Sequence, residues 1–181
     1  MGLLIMASEG KYVNSNAISN VIHYVTRSRK GEYRQNELVG YGGAGVGYYL
    51  TPDEIIRQMS YVQQLYNINL RKGRRLYHEF FLIKDEEFKR LGENMYTVHN
   101  IANECCRLYY EAGFQVVYAI HWEKEKRLHI HFVVNAINFR NGLKWHSSKV
   151  DLKNRQEVFN CILEKYQNMI ISPISFYQVV K

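Results

Sequence analysis

Apolar residues along the chain recur with two different periods, and the period changes at residues that cap or turn a chain. From Ser15 or Asn16 onward, Ala17, Ile18, Val21, Ile22 and Val25 form a stripe at helical spacing, closed by the basic and glycine-ended segment 27–31. Tyr24 lies near the end of that helix. Thr51-Pro52-Asp53-Glu54 combines a Thr cap, a Pro in the first turn and a Glu three residues after the cap, and predicts a helix to about Tyr66. A basic turn and a strand from about Arg75 to Ile83 follow. Thr97 is then expected to cap a helix that runs to Ala112 and closes at Gly113. Between Gly40 and Gly47 five of eight residues are glycine, and no Gly-Lys-Ser/Thr follows, so a mobile loop is expected rather than a phosphate cradle.

After Gly113 the period becomes two. Phe114 to Glu123 and Leu128 to Ile137 read as strands joined by the charged turn Lys124 to Arg127, and side chains on a strand alternate between faces. The even positions, from Phe114 through Trp122 and from Leu128 through Ala136, are apolar and form a core face. The odd positions carry Gln115, His121, Glu123, His129, His131 and Asn135 among small apolar residues. A hairpin centred near Lys126 sets His121 opposite His131 and Glu123 opposite His129, bringing three imidazoles and a carboxylate to one point. A short strand around Leu143 to Trp145 and a helix from about Asp151 to Met169 complete an α+β fold. Its centre is a mainly antiparallel sheet, with the helices expected over the even face.

Composition bounds the partners. At 181 residues, with 46% hydrophobic and 23% charged side chains, the chain matches ordinary globular composition and is read as one domain over residues 1–181. The longest uncharged stretch, Leu38 to Pro52, is too short and too glycine-rich to span a bilayer, and the N-terminus lacks a basic-then-apolar signal. A cytosolic protein with no membrane insertion is expected. Three cysteines, two of them adjacent at Cys105 and Cys106, make no disulfide framework or metal knuckle and are expected to be buried thiols. The net charge is +7, with basic clusters at residues 27–30, 71–75 and 124–127, which suits a polyanion. Fifteen tyrosines and eight phenylalanines beside those charges suit stacked, unpaired bases.

Histidines two apart on a strand point the same way, so His129 and His131 can ligate one ion while His121 adds a third ligand from the next strand. An isolated His-x-His pair more often marks only a solvated face, and the third histidine on the same face reverses that balance. Three histidines on one face are not required by sheet packing, whereas a divalent cation needs such a cluster. Neutral imidazoles leave the ion's charge uncompensated, which suits an anionic substrate such as phosphate.

The run from His121 to Asn135, with an acid at Glu123 and His-x-His at His129 and His131, closely resembles the third motif of conjugative and mobilisation relaxases of the MOBP-like type, in the HUH endonuclease superfamily. The segment 138–144 resembles the turn after that motif, residues 151–153 its closing helix, and Arg75 to Phe81 the strand before it. His23-Tyr24-Val25-Thr26-Arg27 resembles the first motif, a helix ending in a nucleophilic tyrosine before a Thr-Arg segment. The resemblance covers most of residues 15–165. Two positions depart: the family's acid is usually Asp rather than Glu123, and Leu82 stands near a serine that contacts DNA in the family.

The resemblance implies a relaxase catalytic domain, here excised or truncated from a longer protein, that nicks one strand at an origin of transfer. It implies that Tyr24 attacks the scissile phosphate to leave a reversible 5′-phosphotyrosine, with Mg²⁺ or Mn²⁺ held by His121, His129 and His131. Glu123 is then a general base, a fourth ligand or a partner that orients a histidine, and Asn135 fixes geometry or touches DNA. Arg27, Arg29, Lys30, Arg71, Lys72, Arg74 and Arg75 are candidates for phosphate contact. Partners implied are single-stranded or hairpin origin DNA, accessory relaxosome proteins and a coupling protein, in a bacterial cytoplasm, with transfer alongside the DNA. His23 and His146 receive no role. Tyr12 and Tyr33 are substitute nucleophiles on loop segments. Two other readings compete. A replication initiator or transposase carries its nucleophile after the histidine motif, where Tyr166 is the candidate. A basic single-strand-binding module with a structural metal site forms no covalent adduct.

Overall fold

The computed structural model describes residues 1–7, 11–29, 31, 35–47, 50–66, 73–123 and 127–171. Five strands form one sheet in the order β1-β3-β5-β4-β2, with every neighbouring pair antiparallel. They are β1 (Leu3–Met6), β2 (Leu38–Ala44), β3 (Leu76–Ile83), β4 (Phe114–Glu123) and β5 (Arg127–Asn138). The helices are α1 (Ala17–Val25), α2 (Pro52–Leu65), α3 (Asp85–Arg90), α4 (Met95–Glu111) and α5 (Lys149–Ile171). None among the described residues is both long and apolar enough to cross a membrane.

The even positions of β4 and β5 pack as expected: Val116, Tyr118, Ile120, Ile130, Phe132 and Val134 meet Ile101, Cys105 and Tyr109 of α4 and Phe159 and Leu163 of α5. The expectation that helices cover only this face is corrected. α1 and α2 cover the other face, where Ile18, Ile22, Ile55 and Met59 pack on Leu76, Val117, Ala119 and Val133. Small apolar residues between the polar positions of the odd face made that second layer possible. Trp122, expected in the core, is 55% exposed because it sits at the hairpin end, where only Phe88 of α3 meets its ring among the aromatic contacts of the described residues.

The glycine-rich segment is also corrected: residues 38–44 are a strand, not a loop. β2 runs along β4 with Gly42 opposite Tyr118 and Gly43 opposite Val117. A Cβ on Gly42 would lie 2.8 Å from the Tyr118 ring, and one on Gly43 would lie 2.4 Å from the Val116 carbonyl oxygen. The glycines therefore mark close backbone approach at a sheet edge.

Thr51 caps α2 as expected, its hydroxyl accepting from Glu54 N while the Glu54 side chain accepts from Thr51 N. The start of α4 is corrected from Thr97 to Asn94, whose side chain accepts from Tyr96 N and Thr97 N. The short helix α3 was not anticipated; three acidic residues in its first turn favour it over a loop. Cys105 and Cys106 are buried, whereas Cys161 is exposed. On the α4/α5 side the fully buried Glu79 carboxylate accepts from Arg155 and from the Tyr109 hydroxyl, pinning β3 to α5.

Candidate metal centre and nucleophile

The hairpin register differs from the expected one. His121 pairs with His129 and Ala119 with His131, centring the turn on Glu125 instead of Lys126. Because side chains alternate, moving the centre by one residue shifts each pairing by two and leaves every side chain on the same face. The three imidazoles therefore still converge. His131 Nε2 lies 3.1 Å from both His121 Nδ1 and His129 Nε2, and one nitrogen from each ring falls within 4.8 Å of the others. All three residues are buried.

The remaining nitrogens decide which atoms can ligate. His121 Nε2 is 2.6 Å from the carbonyl oxygen of Val25, which can only accept, so Nε2 carries the proton and Nδ1 presents its lone pair to the cluster. Burial pushes His121 down to about 3, with Arg27 and the other imidazoles adding to the effect against the Val25 bond. Burial likewise pushes His131 well below its usual value. Neutral imidazoles that can turn a lone pair inward, as His121 does, are the donor set a divalent cation takes.

The nucleophile candidate arrives from α1. That helix stops because Arg27 adopts a left-handed backbone, with φ of +50°, and Thr26 turns its hydroxyl back onto the Ile22 carbonyl at 2.7 Å. Tyr24 is thereby held on the last turn, with its ring edge-on to His131 at 5.9 Å between centroids and to His78 at 6.2 Å. The Arg27 guanidinium lies 4.8 Å over the Tyr24 ring and donates to the Tyr24 carbonyl at 3.1 Å.

Arg27 was expected to touch DNA, yet it is buried. Its Nη2 donates to Glu123 Oε1 at 2.9 Å and to Glu37 Oε2 at 3.3 Å. That oxygen of Glu123 is 3.9 Å from both His121 Nδ1 and His129 Nε2, so the acid borders the cluster while tied to Arg27. Asn135 is fully buried away from the histidines: it donates to Met59 O and Gln115 Oε1 and accepts from Gln63 Nε2, joining β5 to α2 and β4. Arg29 donates to Asn20, and Arg74 lies over the Tyr77 ring. Arg75 is half-buried next to β3. Lys30, Arg71, Lys72, Tyr33 and the turn 124–126 lie outside the described residues. His23 holds Ser28 at 2.6 Å and faces Asp53.

Two residues given no metal role by the sequence complete the site. His78 is buried, with Nε2 2.9 Å from His131 Nδ1, and the Tyr12 hydroxyl lies 3.3 Å from His78 Nδ1. Burial pushes His78 down to about 4, helped by His129. The available signal was a histidine interrupting an apolar strand; only the pairing of His78 with Val133 brings it beside His131. Around the cluster opens a cleft of about 830 Å³. Tyr12, Tyr24, His78, Glu123, His129 and His131 form its polar side, and Ile5, Met6, Val21, Phe80 and Leu82 its apolar side.

The family described as "Relaxase: MobA/VirD2-like, nuclease domain" matches residues 16–168, a span that takes in Tyr24, the histidine hairpin and all but the end of α5. The chain belongs to this relaxase family. A relaxase nuclease domain binds DNA, and membership of the family carries that to this chain. Among curated proteins no match to the chain was found.

Proposed function

We propose that this relaxase nicks one strand of an origin-of-transfer DNA by transesterification, with Tyr24 as nucleophile. The observation that carries the reading is the placement of the Tyr24 ring edge-on to His131 at the mouth of the histidine cluster. The phenol oxygen attacks phosphorus, the 3′-oxygen leaves as a hydroxyl, and the strand's 5′ phosphate stays on tyrosine. One phosphodiester replaces another, so the step can run backward and reseal the strand.

His121, His129 and His131 would hold the divalent cation, which when bound neutralises charge on the non-bridging oxygens of the phosphate. Imidazole donors rank Mn²⁺ above Mg²⁺ as the occupant. The tyrosine proton must leave as attack proceeds, and it is taken up by a nearby base. The Glu123 carboxylate lies 3.9 Å from His121 Nδ1 and His129 Nε2, and its bond to Arg27 holds it ready to orient or to accept. The apolar wall of Phe80, Leu82 and Ile5 suits the base or sugar beside the scissile phosphate.

Tyr166, the nucleophile of the initiator or transposase reading, packs against the α4/α5 face of the sheet beside Lys165, on the side away from the histidines. That favours the relaxase order of nucleophile first. The test is incubation with single-stranded origin DNA and Mn²⁺ or Mg²⁺, followed by denaturing electrophoresis. A protein-linked 5′ fragment end supports the reading. Product DNA free of protein assigns the attack to water, and intact DNA leaves a binding module.

A further inference from the structure

We propose that His78 is the positioning residue of His131, and that Tyr12, His78 and His131 form a hydrogen-bonded chain whose direction reverses when a divalent cation enters the histidine cluster. The inference rests on the reading of that cluster as a metal centre and adds two residues from outside it.

Val25 sets the first proton of the chain. Its carbonyl fixes the His121 proton on Nε2, so His121 Nδ1 can only accept. His131 Nε2 lies 3.1 Å from both His121 Nδ1 and His129 Nε2. A proton on it can be shared with both, whereas a bare His131 Nε2 would set its lone pair against that of His121, so without a cation His131 Nε2 is the donor and His131 Nδ1 is bare. His78 Nε2 lies 2.9 Å from that bare nitrogen and must carry the proton between them, so His78 Nδ1 accepts from the Tyr12 hydroxyl. Every donor in the metal-free chain thus points one way, from Tyr12 to Val25.

A cation needs the lone pair of His131 Nε2. Its proton must therefore sit on Nδ1, where it is donated to His78 Nε2. His78 in turn carries its proton on Nδ1 and donates to the Tyr12 oxygen, so the Tyr12 proton turns away from His78. Each imidazole keeps one proton and the hydroxyl keeps its own; the chain changes tautomers without gaining or losing charge. An outer partner of this kind fixes the ring and tautomer of a ligand histidine. His78 suits the task because a neutral imidazole can present either a donor or an acceptor, as both states require. Tyr12 stands in a left-handed backbone, φ +47°, uncommon for an aromatic residue, and its carbonyl accepts from Arg75 N at 2.7 Å, which holds the hydroxyl over His78.

Two measurements test this without DNA. Nitrogen-15 NMR of the histidine side chains, with and without Zn²⁺, should show the His78 proton on Nε2 in the metal-free protein and on Nδ1 in the loaded one. An unchanged His78 tautomer overturns the reversal. Calorimetry with Mn²⁺ should show affinity falling about 10- to 100-fold in His78→Leu and returning to within a few-fold of wild type in His78→Gln, whose amide can also donate or accept. Undiminished affinity in His78→Leu overturns the positioning role. If His78→Leu does not fold, an unchanged His78 tautomer in the wild-type protein, or a full loss of affinity in a folded His78→Gln, still overturns the proposal. Wild-type protein that binds neither ion fails the metal centre itself, whereas metal binding indifferent to His78 fails only this inference.

Discussion

The Nε2 of His121 donates to the carbonyl oxygen of Val25 across 2.6 Å, so the last turn of the helix bearing Tyr24 is bonded directly to a strand of the histidine cluster. A helix C-terminus leaves its final carbonyls without internal partners and carries partial negative charge, which makes Val25 a good acceptor for an imidazole N–H. One bond thus does two things. It turns the His121 lone pair toward the cluster, and it holds the helix that carries Tyr24 against the hairpin.

Tyr24→Phe should remove the attacking oxygen and keep the ring that packs on His131 and under Arg27. Nicking and adduct formation are expected to fall below about a thousandth of wild type, with metal affinity unchanged. Tyr166→Phe should nick normally. Peptide mapping of trapped adducts checks both; DNA found on Tyr166 or Tyr12 would refute the assignment.

Single changes of His121, His129 and His131 to Ala should each weaken Mn²⁺ binding by more than about 100-fold, since removing a direct ligand costs more than disturbing a partner behind it. Calorimetry reads the loss, and circular dichroism should show an unchanged secondary structure. Three variants that bind as tightly as wild type would contradict the site.

Binding to single-stranded DNA should weaken steeply as salt rises from about 50 to 200 mM, because lysines and arginines displace condensed counterions. Arg74→Ala should reduce the slope of log affinity against log salt by about one unit if it meets a phosphate. Arg27→Gln is expected to behave differently, since its guanidinium is buried between Glu37, Glu123 and Tyr24. Its effect should fall on nicking rate with the salt slope preserved. A changed slope for Arg27→Gln and none for Arg74→Ala would reverse these roles.

Gly43→Ala should destabilise the protein by about 1–3 kcal/mol, because its Cβ would meet the Val116 carbonyl oxygen at a distance no real contact shows. Gly31, with open space around its Cβ position but φ of +82°, separates the two causes of glycine use. Ala there meets backbone strain alone. Denaturant midpoints measure both, and a neutral Gly43→Ala would place β2 further from β4 than described.

Period and capping were enough to locate α1, α2, β3, the hairpin strands and α5, because each of those signals is local: a side chain's face follows from its own position in the chain. The same locality made the histidine face legible, since alternation puts His121, His129 and His131 on one side for either centre of the turn. It failed wherever the deciding partner is distant in sequence. Glycines at 40–43 read as a loop until Tyr118 and the Val116 backbone are seen pressing on them. Arg27 looked like a surface charge until Glu123, 96 residues away, is found holding it. His78 carried no metal signal, because its meaning lies in a bond to His131 set by the β3–β5 pairing. The sequence by itself determined which residue types share a face and which helix carries Tyr24 near its end. Only the tertiary structure decided which of them touch, because strand order, register and the second helical layer arise from pairings that no local period encodes.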